Sequence, residues 1–221
     1  MDRSTWLKER QKGIGGSEAA AILGLNPYMT NVELWEYKTG RKVKEDKDSP
    51  FMKYGRDSEP HLIELFKLDY PKYNVIVPQP YSIQRNAQYN WMLVTVDAEL
   101  NMLRSAQEPS GSLSLPDGFL EIETSNIFAS RQNEKWDERV PDNYYIQILH
   151  YFLVNDKYQY CYLKAQLKSS FNKEVRLITK HYYWERKDVE EDLKYLKEKE
   201  IEFWERNVKK DVRPNLVLPP I

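Results

Sequence analysis

The sequence predicts a single α/β domain. Helical periodicity marks the stretches near both ends of the chain, β-branched and aromatic runs crowd residues 73–123, and a second pair of such runs follows an intervening helical segment. Helices, strands, helices, strands and helix is an α/β order. A chain of 221 residues with 41% hydrophobic content can bury one good-sized core, so residues 1–221 are expected to form one domain.

In GGSEAAAILGLNPY, Ser17 is expected as a helix N-cap, the alanines as the helix body, and Gly24 with Pro27 as the stop. Thr30 and Glu33 then form a capping box for NVELWEYKTG, which ends at Gly40, and RKVKEDKDS reads as a solvated loop. Phe51, Met52, Leu62, Ile63, Leu65 and Phe66 have helical spacing, but Pro60 is expected to sit in a first turn or impose a kink, giving two pieces. YNVIVPQPYSIQ, YNWMLVTVDAEL and GFLEIET read as strands, with the Ser-, Gly- and Pro-rich NMLRSAQEPSGSLSLPDG a loop between the last two. NIFASRQNEKWDERV and DNYYIQILHYFLV are expected as helices flanking Pro141. YQYCYLKAQL and EVRLITKHYYW follow as strands, then a long amphipathic helix over RKDVEEDLKYLKEKEIEFWERNVKK, and RPNLVLPPI is too proline-rich to be helical.

The 33 basic and 34 acidic residues nearly cancel, so nucleic-acid contact would have to come from a local basic surface. Cys161 is the lone cysteine, which excludes an internal disulfide, and His61, His150 and His181 lack the paired spacing of a zinc site. The N-terminal MDRSTWLKERQ has no signal-peptide apolar stretch and no run of apolar residues reaches membrane-span length, so a soluble, cytoplasmic protein is expected.

Asp97 near the end of one apolar strand and Glu121 in the middle of another put carboxylates where packing residues belong. Two buried like charges are costly unless a cation such as Mg²⁺ lies between them. A carboxylate at a wet strand end, or one paired with a lysine, is the plainer alternative for either residue taken singly.

Five words in order give these residues a context: WLKER with GIGGSE at 6–18, GRDSEP at 55–60, VTVDA at 94–98, LEIET at 120–124 and VPDNYYIQILHY at 140–151. With these words the chain resembles the YqaJ-like family of phage exonucleases, relatives of lambda exonuclease in the PD-(D/E)XK superfamily. The resemblance implies a restriction-endonuclease-like core, a mixed central β-sheet flanked by helices. It implies that Glu59, Asp97 and Glu121, with the Ile122 carbonyl, gather one or two Mg²⁺ or Mn²⁺ ions. The implied chemistry is phosphodiester hydrolysis of double-stranded DNA from its 5′ ends, in phage-type recombination, by a phage- or prophage-encoded protein in a bacterial cytoplasm. Glu123 departs from the pattern, for it occupies the place of the family's catalytic lysine. A carboxylate there can bind water or a second metal and act as a general base, or it can mark activity lost naturally in a DNA-end-binding homologue or removed by a laboratory substitution. Residues 121 and 123 share one strand face, so Glu123 is not simply turned to solvent.

Arg10 and Ser17 stand where the family holds the terminal 5′ phosphate, and Thr95 where it has another hydroxyl. An exposed surface charge at Arg10 and simple capping at Ser17 are the alternatives. Gln147 shares a helix face with Tyr144 and Tyr151, and the family uses this glutamine near the metal. Tyr151 and Trp136 read as core aromatics and His150 as a packed, hydrogen-bonded histidine. The resemblance further implies a ring-shaped oligomer, a trimer, and a phage single-strand annealing protein as partner. In a ring, Lys8, Arg10, Lys12, Arg41, Lys42 and Lys44 would line the channel. A protein-interaction module built on Leu193, Leu196, Trp204 and Val208 is a more distant reading, since that stripe is expected to pack on the domain's own sheet.

Overall fold

The computed structural model describes residues 1–43, 49–103, 116–127, 134–137, 139–171 and 174–218. Most of the predicted Ser/Gly/Pro-rich loop, the centre of the charged loop with Lys44, much of the first helix predicted before Pro141, and residues 219–221 lie outside the described residues.

The N-terminal segment holds a helix that the periodicity did not announce, α1 (Arg3–Gln11), started by the Asp2 carboxylate, which accepts from the Thr5 N–H at 2.8 Å. A two-residue strand β1 (Ile14–Gly15) leads directly into α2 (Gly16–Ile22). The N-cap of α2 is Gly15, so Ser17 is the second helical residue and not the cap. The Gly15 N–H is taken instead by the Glu18 carboxylate at 3.0 Å. Helix α3 (Asn31–Lys38) carries the expected capping box: Thr30 Oγ1 accepts from the Glu33 N–H at 3.2 Å, and Glu33 accepts from the Thr30 N–H at 3.1 Å. It stops before Gly40, which takes φ +76°. Helix α4 (Pro50–Asp69) is one piece, correcting the expected break. Pro60 lies on its exposed side, where losing one helical hydrogen bond is least costly, while Leu62, Ile63 and Phe66 anchor the buried side.

The strands that follow are β2 (Tyr73–Ile76), β3 (Gln84–Arg85), β4 (Met92–Val94), β5 (Ala98–Met102) and β6 (Gly118–Ile127), then helix α5 (Asp142–Val154) and strands β7 (Tyr160–Phe171) and β8 (Glu174–Glu185). The run predicted as one strand over 89–100 divides at residues 95–97, because β4 pairs with β1 and β3 while β5 pairs with β2 and β6. Strand β6 runs on to Ile127, past the predicted helix start at Asn126, since β7 offers it a parallel partner as far as Ile127 opposite Ser169. The main sheet has the order β2-β5-β6-β7-β8, antiparallel except for β6 and β7, so it is a mixed sheet. The parallel pair needs a long return path, and α5 supplies it.

Helices cover both faces of this sheet. On one, Leu62, Ile63 and Phe66 of α4 pack on Leu100, Leu120 and Ile122; on the other, Phe119 meets Tyr151 and Phe152 of α5. Beyond α5 lies α6 (Glu190–Glu202), entered by a 3₁₀ turn (Arg186–Val189) and followed by a π-helical turn (Phe203–Val208). Its stripe of Leu193, Leu196 and Trp204 is covered by α5 and by Trp91, whose ring stacks on Trp204 at 5.0 Å. The stripe thus packs on helices rather than on the sheet, because α5 already occupies that face. Trp136 is buried, and its carbonyl accepts from Lys180 and Tyr182. No helix among the described residues is long and apolar enough to cross a membrane.

His150 is fully buried between Glu200 Oε1 at 2.7 Å and the Leu93 carbonyl at 3.0 Å. Both ring nitrogens face acceptors, an arrangement only the imidazolium satisfies completely. Burial alone would push this imidazole down, yet the Glu200 carboxylate and the Leu93 carbonyl hold it above its ordinary value. Stability from a raised histidine is fully present below its unfolded pKa and is lost as pH rises through the folded one. Glu200→Gln should therefore destabilise by about 3–5 kcal/mol in acid denaturant titrations, with the gap to the parent shrinking as pH rises; a gap independent of pH would contradict the charged pair.

Candidate active site

Four carboxylates meet at the start of β5, supplied by three parts of the chain. Asp97 stands in the turn where the chain passes from one sheet to the other. Glu121 and Glu123 point from one face of β6 towards α5, and Glu59 reaches in from α4 on the opposite side of the sheet. Asp97 Oδ2 accepts from the Ile122 N–H at 2.8 Å, in the gap where β5 has ended beside β6. In a strand the carbonyl and N–H of one residue point to the same side, so the Ile122 carbonyl faces that gap as well.

Helix α5 braces the pair on β6. Gln147 Nε2 donates to Glu121 Oε1 at 2.5 Å and lies 3.4 Å from Glu123 Oε1, and the Tyr151 hydroxyl donates to Glu121 Oε1 at 3.2 Å. Tyr151 is therefore more than the core aromatic the sequence suggested. Its place one helical turn after Gln147 was the signal that it would face the same carboxylates. Tyr144, on the same face, packs on Trp136.

The electrostatics are those of an unneutralised cluster. Loss of water pushes Asp97 up to about 8, helped by the charge of Glu59 and opposed by the Ile122 N–H. Glu121 is pushed well above the usual carboxylate range by burial, then by Asp97 and Glu123, with Tyr151 and Gln147 opposing. Glu123 is raised well above it too, by burial and then by Asp97 and Glu59, and burial raises Glu59 itself. No lysine or arginine is among the groups that set these four. Glu121 Oε2 is buried without a hydrogen-bond partner.

Such a set of hard oxygen donors, short of positive charge and with one orphaned oxygen, suits a divalent cation such as Mg²⁺ or Mn²⁺. Among the described residues no three His, Cys, Asp or Glu side chains are already gathered closely enough to hold an ion. The reason lies in their present partners: Asp97 is turned to a backbone N–H, and Glu121 and Glu123 to Gln147.

A second group lies beside the first. Arg10, at the end of α1, places its guanidinium 4.7 Å from the centre of the Trp6 ring and donates to Ser17 Oγ at 3.3 Å, leaving the Ser17 proton free to donate. The Trp6 indole N–H approaches Thr95 Oγ1 at 3.5 Å, while the Thr95 hydroxyl donates to the Ser82 carbonyl at 2.7 Å. Thr95 has thus committed its one proton to the backbone. The two groups touch through Gly16, where a Cβ would lie 2.2 Å from a Tyr151 ring carbon and 2.9 Å from Gln147 Cγ. Of the basic residues expected to line a channel, Lys12 pairs with Glu9, Arg41 with Asp211 at 2.7 Å and Lys42 with Glu33 at 3.1 Å.

Residues 5–158 match the YqaJ-like viral recombinase domain, a stretch that holds every acid of the cluster, Gln147, Tyr151, Arg10, Ser17 and Thr95. The chain belongs to that family. Among curated relatives of the YqaJ-like domain, the uncharacterized protein YqaJ of Bacillus subtilis (strain 168) is 30% identical over 212 residues, covering 94% of this chain and 57% of that protein. The chain therefore spans little more than half the length of that relative. Among solved structures, the alkaline exonuclease of Laribacter hongkongensis superposes with a TM-score of 0.56 at 13% identity, over 95% of this chain and 100% of the other. The same exonuclease in complex with dAMP gives 0.54 at 12% identity, over 94% and 98%. At such identities the likeness is one of fold.

A carboxylate whose pKa is raised by folding stabilises below its unfolded pKa, and that contribution is lost as pH rises through the folded value; for Asp97 the window runs from the ordinary carboxylate range to about 8. Cation binding needs the ionised form, so affinity moves the opposite way. Melting temperatures in chelator should fall between about pH 6 and about pH 9, and Mg²⁺ or Mn²⁺ should restore several degrees at the upper pH and little at the lower. Asp97→Asn should flatten both trends. A melting temperature indifferent to the cations at the upper pH would remove the case for a metal centre.

Proposed function

We propose that this protein is a metal-dependent deoxyribonuclease that hydrolyses double-stranded DNA from its 5′ ends, serving phage-type homologous recombination. The observation that carries the reading is the buried cluster of Glu59, Asp97, Glu121 and Glu123, whose electrostatics no lysine or arginine among the described residues is seen to set, in a member of a viral recombinase family. The fold shared with an alkaline exonuclease supports it.

In this reading Glu59, Asp97 and Glu121 hold Mg²⁺ or Mn²⁺ together with the Ile122 carbonyl. When bound, the cation polarises the phosphoryl oxygen of the scissile bond and lowers the pKa of an attacking water. Gln147 and Tyr151 fix the direction of the Glu121 carboxylate, so its free oxygen, not its bonded one, is presented. Glu123 would accept the proton of the attacking water, a task open to a carboxylate whose proton affinity burial first, and then Asp97 and Glu59, have raised. Arg10 and Ser17 take the terminal 5′ phosphate as charge-assisted and neutral donors, with Thr95 beside them through Trp6. The strand that remains would pass to a phage single-strand annealing protein. A ring-shaped homo-oligomer, a trimer, would keep the enzyme on its duplex despite the near-neutral charge of the chain. The setting is the cytoplasm of a bacterial host carrying the phage or prophage.

Glu123 favours one second reading. A lysine at its place would offset the charge developing on the phosphate, and a glutamate there does not. A homologue that binds DNA ends without cutting them is that alternative.

Blunt duplex with a labelled 5′ phosphate distinguishes the two. With Mg²⁺ or Mn²⁺ the parent should release label, and Asp97→Ala should slow release by on the order of a hundredfold or more. Release seen only after Glu123→Lys would establish the end-binding alternative, and label retained in every version would refute the nuclease.

A further inference from the structure

Behind Arg10 and Ser17 lies a buried ion pair that the proposed hydrolysis does not use. Glu18 follows Ser17 in α2 and Lys38 ends α3; their side chains are 8% and 3% exposed, and Lys38 Nζ sits 2.7 Å from Glu18 Oε2. The same ammonium donates to the Arg10 backbone carbonyl at 3.1 Å. One lysine therefore ties the end of α1, which carries Arg10, to the first turn of α2, which carries Ser17.

The pair matters because Glu18 is in the wrong place for phosphate binding. A carboxylate one residue from Ser17, shielded from water, repels an anion at that hydroxyl and attracts the guanidinium meant for it. The pull is felt in the present structure. Burial would raise the Glu18 carboxyl, yet Lys38 first, then Arg10 and the Gly15 N–H, hold it below its usual range. With Lys38 gone, Arg10 is the nearest remaining cation to satisfy that carboxylate, and turning to it costs the contact with Ser17. Lys38 also fixes the carbonyl from whose residue the Arg10 side chain sets out. Helix α3 puts the lysine there through its capping box at one end and Gly40 at the other.

We propose that Lys38 is a positioning residue that, by occupying Glu18 and the Arg10 carbonyl, keeps the Arg10 guanidinium free for a 5′-terminal phosphate. This rests on the assignment of Arg10 and Ser17 to that phosphate. It makes the preference for phosphorylated over hydroxyl ends a property of a residue that touches no DNA.

The test is binding without cleavage: fluorescence anisotropy in chelator, using blunt duplexes that differ only in a 5′ phosphate or a 5′ hydroxyl, with melting temperature recorded for each variant. The parent should prefer the phosphorylated end by about tenfold or more, the worth of one charge-assisted contact. Lys38→Met should abolish that preference while leaving affinity for the hydroxyl end unchanged. Lys38→Arg should retain it, and adding Glu18→Gln to Lys38→Met should restore it in part, because the competing carboxylate is gone. Preference retained in Lys38→Met, or affinity lost equally for both ends, overturns the proposal. Should Lys38→Met not fold, Lys38→Gln is read beside Lys38→Gln combined with Glu18→Gln: preference lost in the first and regained in the second supports the competition for Arg10, and preference kept in the first overturns it. A preference absent in Arg10→Ala but intact in Lys38→Met would leave the phosphate assignment standing and remove only the role of Lys38; a parent without preference removes both.

Discussion

The crowding of negative charge on one face of β6 is the constraint around which the rest of the molecule is arranged. Two glutamates two residues apart on a buried strand, with Asp97 at its side, repel one another in a place where water screens them poorly. The fold holds them there regardless. Strand β6 is central in the sheet, bonded to β5 on one side and along its length to β7 on the other, so it cannot twist its glutamates outward. Gln147 and Tyr151 then supply neutral donors from α5, enough to orient the acids but not to cancel their charge.

That same arrangement explains why α5 is built as it is. Its position as the return path between two parallel strands forces it against the sheet face from which Glu121 and Glu123 project. Every residue from Ile146 to Val154 is buried, including Gln147 and His150, which a helix with one wet side would not allow. His150 faces away from the acids, towards Glu200 and the Leu93 carbonyl, so one helix carries polar anchors in two directions.

Much of this was legible in the sequence, and the gaps have physical causes. Capping at Thr30, the stop at Gly40, the long amphipathic helices and the strand pair after α5 follow from local rules, so the chain states them plainly. The division of residues 89–100 between two sheets is set by which neighbours pair, a non-local fact that alternation within the run cannot carry. Pro60 misled because its cost depends on whether the affected turn faces water. At the site, Asp97 and Glu121 stood out as charges in apolar runs, and Glu59, Gln147, Arg10 and Ser17 were reached only through the family words. Tyr151 and Lys38 were missed because a tyrosine in an apolar helix and a lysine at a helix end both have ordinary explanations. Only the packing of α5 on β6 and the approach of α3 to α2 show what they touch.

The absence of a side chain at Gly16 has a mechanical consequence. With Tyr151 and Gln147 filling the space a methyl group would need, the helix bearing Ser17 and the helix bracing the acids share a common wall. A methyl group there would have to push the two helices apart, and with them the Ser17 hydroxyl from the carboxylates.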